Sequence, residues 1–208
     1  MATATVPSHP LLAGVEALAD DYRGQPGFLA ERRRRAAATF AELGLPTRAW
    51  EEWRFTGVGH LAETPWTVAE RAPQTSPIPG QPIGDAYRLV VVDGWLAPEL
   101  SQLGGLPEGV VAGSLAEAAA RCPELVEPHL ARHAALTGHP FLALNAAQFR
   151  DGVLLWSGAG TVLDRPVELQ LVATPHQRPT LALPRILIVA GRGSQATIVE
   201  SSVGGSAD

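Results

Sequence analysis

Two histidines, His129 and His133, stand four positions apart and would share one face of a helix. Cys122 and His139 lie close by in sequence. Imidazole and thiolate are the usual ligands of zinc, which asks for about four donors, three of them from protein in catalytic centres. The general-base glutamate of an H-E-x-x-H arrangement is missing, because Leu130 follows His129. The pattern therefore reads as two solvent-facing imidazoles on an alanine-rich helix, and no metal ligand is assigned. A second constellation is acidic. Glu168 and Glu200, with Asp164 nearby, could flank a glycosidic bond as acid and nucleophile. Strand alternation offers a plainer account: Val167, Leu169 and Leu171 take one face, Glu168 faces water, and Glu200 opposes Val199. Sugar-cleaving grooves carry aromatic walls, and only Trp156 is near in sequence. Gly191-Arg-Gly-Ser194 follows a strand-like run, but what comes next is another strand. It reads as a tight turn, because a phosphate cradle needs a helix N-terminus there. Neither a G-x-S-x-G elbow nor a G-x-G-x-x-G fingerprint occurs. Trp50 and Trp53 read as core residues, since a tryptophan buries so much surface. No catalytic, cofactor-binding or metal-ligating residue is assigned.

Composition narrows the field further. The chain has 208 residues, 16 basic against 21 acidic, for a formal net charge of −5. Every basic residue is arginine. Without lysine there is no Walker-A loop and no Schiff-base chemistry. The single cysteine excludes an internal disulfide and a Cys-only metal site. Net negative charge argues against a nucleic-acid surface. The four arginines Arg32 to Arg35 do not make one either, since successive helical residues turn by about 100° and cannot share a face. Arg33 falls near an apolar stripe and is expected to lay its stem along it while its head reaches water. The first ten residues lack a basic n-region and an apolar h-region. The apolar runs, such as Ile186 to Ala190, are strand-sized, far short of the ~20 residues of a membrane span. A soluble, cytoplasmic protein is expected.

These residues must be positioned by two kinds of element. The first 45 residues read as helical: Leu11, Leu12, Val15, Leu18 and Ala19 recur at helical spacing. A second helix runs from about Phe28 to Leu43, with Leu29, Ala36, Phe40 and Leu43 as its stripe, Gly44 as its terminator and Pro46 beyond. Residues 62 to 86 are proline-rich and read as an irregular connection. Tyr87 to Val92 is a strand ending in an Asp93-Gly94 turn. Ser114 caps a helix through Ala120, with Glu117 completing a capping box. A helix is expected over Glu124 to Leu136, kinked or begun by Pro128, and another over Phe141 to Phe149, burying Phe141, Leu144 and the stem of Gln148. Asp151-Gly152 reads as a turn. Strands then follow at Gly152 to Trp156, Val167 to Ala173, Arg185 to Ala190 and Ala196 to Ser202, with no helix between them. That texture suits a sandwich or an irregular β-solenoid and argues against a doubly wound α/β fold.

Four segments, taken in order, resemble one family. They are Gly44-Leu-Pro-Thr-Arg48 leading into Glu51-Glu-Trp-Arg-Phe-Thr56; Arg88-Leu-Val-Val-Val-Asp-Gly94 with Pro98, Leu100 and Ser101; Leu144-Asn-Ala-Ala-Gln-Phe-Arg-Asp-Gly-Val153; and Pro184-Arg-Ile-Leu-Ile-Val189 followed by Ala196-Thr-Ile-Val-Glu200. The set resembles the SufD family, scaffold subunits of the SUF iron–sulfur cluster assembly system within the SufB/SufD superfamily. Phe55 stands where that family usually has tyrosine, and Arg54 where lysine is common. The resemblance implies an α+β fold: an N-terminal helical region over 1–60, a Pro-rich connection with a strand and short helices over 61–139, and over 140–208 the beginning of a right-handed parallel β-helix. It implies a truncated scaffold, since the chain ends early in that β-helix. It further implies a non-enzymatic function in cluster assembly beside a SufB-like paralogue and a SufC-like ABC ATPase, with no cofactor bound by this chain alone. It carries no cluster ligand onto any residue here. The rival expectation is a β-helix carbohydrate-active enzyme using Glu168 and Glu200.

Overall fold

A computed structural model describes residues 10–12, 26–71, 81–132 and 138–204. In chain order its regular elements are α1 (Gly27–Leu43), β1 (Thr67–Val68), β2 (Tyr87–Val92), β3 (Trp95–Leu96), β4 (Val110–Ser114), α2 (Leu115–Arg121), α3 (Pro123–Val126), α4 (Pro140–Gln148), β5 (Gly152–Ser157), β6 (Val167–Ala173), β7 (Thr180–Leu181), β8 (Arg185–Ala190) and β9 (Ile198–Gly204). They form two compact units drawn from separated stretches. One takes Met1–Val68, Leu130–Gln148 and Arg178–Leu181; the other takes Ala69–His129, Phe149–Gln177 and Ala182–Asp208. The three consecutive segments read from the sequence cut across these units.

The first unit is built on α1 against α4. The buried stripe of α1 is Leu29, Arg33, Ala36, Ala37 and Phe40, at the i, i+3, i+4 spacing of one helical face. The helix stops at Gly44, whose φ of 64° only glycine adopts readily and whose N–H donates to the Phe40 carbonyl at 2.8 Å. Ala143, Leu144, Ala146 and Ala147 are buried on α4. Arg33 corrects its expectation. It is 1% exposed, so its head stays inside with its stem. Gln148 is likewise wholly buried, and its Nε2 donates to the Leu11 carbonyl. Of the first expected helix, Pro10–Leu12 is a short 3₁₀ turn, while Val15, Leu18 and Ala19 lie outside the described residues. The Pro-rich connection contains a two-residue strand, β1, which pairs in parallel with β7.

The second unit holds a sheet of order β3-β2-β6-β9 and another of order β4-β5-β8. Asp93 and Gly94, at φ 48° and 91°, make the two-residue hairpin that sets Val92 opposite Trp95. The other long pairings are mostly parallel. Tyr87 to Val92 register with Val167 to Val172, Val167 to Ala173 with Ile198 to Gly204, and Gly152 to Ser157 with Arg185 to Ala190. A lone parallel bridge joins Val162 to Gln195. Successive passes of the chain therefore lie beside one another without a helix between β5, β6, β8 and β9. One core is shared by both sheets: Tyr87, Leu89, Val91, Val153, Leu155, Val167 and Leu169 are buried in it, with Ile186 and Ile198 packed on its margin. The outer face of the β2 sheet is covered too, by Ala97 and Leu100 over Val90, Val92 and Val172.

Two further expectations are corrected. The helix over Glu124 to Leu136 is reduced to α3. Residues 127–132 are turns, Ala131 has φ 56°, and 133–137 lie outside the described residues. Asp151-Gly152 is no turn. Gly152 begins β5 at φ 146°, where a Cβ would sit 1.9 Å from the Arg185 carbonyl oxygen, so the close pass of β8 demands glycine. Asp151 is buried beside it. Its Oδ1 accepts from the Ser114 hydroxyl (2.7 Å) and the Ala116 N–H (3.1 Å), and its Oδ2 from the Leu96 N–H (3.1 Å). Ser114 in turn caps α2, accepting from the Glu117 N–H at 3.1 Å.

Candidate functional site

The hairpin after β2 aims the Asp93 carboxylate at the chain leaving β6. Oδ1 accepts from the Thr174 N–H at 2.9 Å, while Oδ2 meets the Thr174 hydroxyl and, at 3.1 Å, His176 Nε2. Thr174 Oγ1 and His176 Nε2 are 3.3 Å apart. Carboxylate, imidazole and hydroxyl are the groups of a nucleophilic triad. In a triad, however, the carboxylate binds the imidazole nitrogen remote from the nucleophile. Here His176 and Thr174 converge on one carboxylate oxygen, and the threonine proton is directed to Asp93 rather than to the imidazole. The arrangement clamps the segment after β6 onto the hairpin. Next to it opens a cleft of about 350 Å³ lined by Val91, Leu171, Val172, Pro184, Ser202 and Val203. Its size falls at the low end of small-molecule sites, ~300–1,000 Å³. The sequence reading found the Asp93-Gly94 turn but missed the cluster, because Thr174 lies 81 positions from Asp93.

The acidic candidates are separated. Glu168 corrects its expectation of facing water: it is 2% exposed. Its Oε2 pairs with Arg88 Nε at 2.8 Å and accepts the Ile83 N–H at 3.2 Å. The cause is the cover over the outer face of the sheet, which a period-two pattern does not announce. Glu200 is exposed and registers with Leu169, whereas Glu168 registers with Val199. Cross-strand partners point to the same side, so the two carboxylates stand on opposite faces and do not meet as a pair. Asp164 belongs to a third group. The Tyr87 hydroxyl lies 2.7 Å from its Oδ1 and 2.9 Å from the Gly105 carbonyl, and the Arg165 guanidinium sits 4.0 Å from the Tyr87 ring centre. The Tyr87 hydrogen bond holds the Asp164 carboxyl below the ordinary aspartate value.

The remaining candidates are scattered. Cys122 is half-buried at the junction of α2 and α3, its N–H donating to the Ala118 carbonyl. His129 lies in the turn after α3, His133 lies outside the described residues, and His139 is exposed before α4. Among the described residues no three His, Cys, Asp or Glu side chains converge as a metal site. Gly191 to Ser194 is the expected turn, with Ser194 donating from both N–H and hydroxyl to the Gly191 carbonyl. Trp50 and Trp53 correct their assignment to the core: both are half-buried, and Trp53 leans on Phe141 with ring centres 5.2 Å apart. Phe55, beside them, is 90% exposed. Among the described residues no helix is long and apolar enough to cross a membrane.

Comparison with known proteins adds what the geometry does not name. An iron–sulfur cluster assembly SufBD family protein of Synechocystis is 28% identical over 180 residues, covering 85% of this chain and 40% of that protein. A second protein of the same description, from Trieres chinensis, is 33% identical over 92 residues, which is 44% of this chain and 18% of the relative. The chain thus spans less than half the length of either of these curated relatives. The model of the SufBD protein N-terminal region matches residues 22–169, well over half of the sequence. On that match the chain belongs to the SufBD family.

Proposed function

We propose that this chain acts in iron–sulfur cluster assembly as a scaffold of the SufD kind, without catalysing a reaction of its own. The observation that carries the reading is the match to the SufBD N-terminal region, whose relatives are named for cluster assembly. The stacking of β2, β6 and β9, and of β5 and β8, supports the proposal that the second unit begins a right-handed parallel β-helix. In this reading the chain works beside a SufB-like paralogue and a SufC-like ATPase in the cytoplasm. Clusters are cargo of the assembled complex. With a single cysteine in the sequence, the chain alone falls short of the roughly four mostly thiolate ligands that a cluster takes.

Co-expression with a SufB-like protein and anaerobic reconstitution test this. The expected result is co-purification with the SufB-like protein and a colourless chain when it is reconstituted alone. A thiolate charge-transfer absorption from the chain alone, lost in Cys122→Ser, would overturn the cofactor part. Failure to co-purify would overturn the scaffold part.

A further inference from the structure

The outer face of the β2 sheet has two halves, and they are covered differently. Toward the ends of β2 and β6, Val90, Val92 and Val172 lie under Ala97 and Leu100, apolar on apolar. At the beginnings of the same strands the facing residues are Arg88 and Glu168, in register and joined at 2.8 Å. Residues 81–86, the chain entering β2, pass over this charged half. The Ile83 N–H donates to Glu168 Oε2 at 3.2 Å, and Asp85 Oδ1 lies 3.4 Å from Arg165 Nη1. Among the described residues these two contacts are the polar ties of the segment to the rest of the unit. Gln81, Pro82, Gly84 and Asp85 are exposed, and Ile83 and Ala86 are half-buried. Beneath them the Glu168 side chain is 3% exposed and that of Arg88 15%.

We propose that residues 81–86 form a strap that lifts and reseats while the sheet beneath stays folded, so that the charged half of the face alternates between a covered and a hydrated state. Where Ala97 and Leu100 cover valines, opening would return apolar area to water, and that half stays closed. Under the strap the balance differs. Burying two ions costs hydration that their mutual attraction offsets only in part. Lifting the strap rehydrates Arg88 and Glu168 and leaves their contact with each other intact. The strap itself loses little: one N–H bond that water replaces, the packing of half-buried Ile83, and an ion pair whose Asp85 side chain is 83% exposed and which is weak for that reason. Arg165 keeps its place without Asp85, because it stacks on the Tyr87 ring and donates to the Gly104 carbonyl at 3.0 Å. The core does not have to move, since Leu89, Val167 and Leu169 point to the opposite face.

The test is native-state hydrogen exchange of the full chain read by NMR, with the Ile83 amide reporting on the strap and the Leu89 amide on the strand beneath. After correction for intrinsic rates, Ile83 should exchange at least about a hundredfold faster than Leu89, at a rate that low urea concentrations leave unchanged, as local opening requires. Asp85→Asn should speed Ile83 by about two- to fivefold and leave Leu89 unmoved. Arg88→Met combined with Glu168→Gln keeps an acceptor for the Ile83 N–H and removes both charges, so Ile83 should slow by at least about fivefold. Asp85 is exposed, so its variant tests the strap even where the double variant is unstable. Ile83 exchanging no faster than Leu89, an Ile83 rate untouched by Asp85→Asn, or one not slowed by the neutral pair would overturn the proposal.

Discussion

Asp151 shows how much a single buried carboxylate can organise. It receives the Leu96 and Ala116 N–H groups and the Ser114 hydroxyl, thereby tying β3, the start of α2 and the end of β4 to the head of β5. Leaving a buried donor unmatched costs about 1–3 kcal/mol. Asp151→Ala should therefore lose roughly 3 kcal/mol or more in urea denaturation. Asp151→Asn keeps one acceptor oxygen and should lose clearly less; equal losses would mean that the cost is one of shape. Tyr87 acts on Asp164 in a way that depends on pH. Because the hydroxyl lowers the folded-state pKa of Asp164, the stabilisation is complete above the ordinary aspartate value and is lost as pH falls through the lowered one. Tyr87→Phe should move the Asp164 titration upward in carboxyl NMR and shrink that acid-dependent part of the stability. A titration left in place would assign the depression to another group.

Between strands, the informative pair is Arg88 on β2 and Glu168 on β6, neighbours in register on the covered face of the sheet. Removing one member of a buried pair leaves the other uncompensated, at about 3–5 kcal/mol, whereas replacing both by apolar residues is often neutral. Arg88→Met and Glu168→Leu should each be strongly destabilising in chemical denaturation, and the double variant should recover most of the loss. Additive losses would show that the pair contributes no mutual interaction. The segment Trp50–Phe55 behaves differently. Trp53 is half-buried against Phe141, so Trp53→Ala should cost less than the ~3–5 kcal/mol of a fully buried aromatic.

Across the second unit, stability should follow the number of paired neighbours. β6 lies between β2 and β9, and β5 between β4 and β8, while among the described residues β8 and β9 each have one partner. Native-state hydrogen exchange should show the amides of β5 and β6 opening last and those of β8 and β9 well before them. Uniform protection through Ile198–Gly204 would mean that the free side of β9 is covered in solution. The family match takes in β2 and β5 and ends at residue 169, three residues into β6, so it covers only the start of the β2–β6 parallel pairing.

What could be read from the residues was what near neighbours decide. The α1 stripe and its Gly44 stop, the Ser114 cap, the Asp93-Gly94 turn and the bounds of β2, β6 and β8 follow from periodicity and turn chemistry within a few positions. The four family-like segments were legible for the same reason, as local strings in a set order. Hidden from view was everything that joins distant positions. Alternation tells which side chains share a face, but not whether a second layer covers the other face, so Glu168 was placed in water and Arg33 given a solvated head. Asp93 meets Thr174, and Asp151 meets Leu96, because strands far apart in sequence lie side by side. Both contacts depend on which strand pairs with which and in what direction. Pairing is a choice among backbone ladders that all offer the same N–H and C=O groups, and only the packed core, closing over Leu89, Leu155 and Leu169 together, selects one of them.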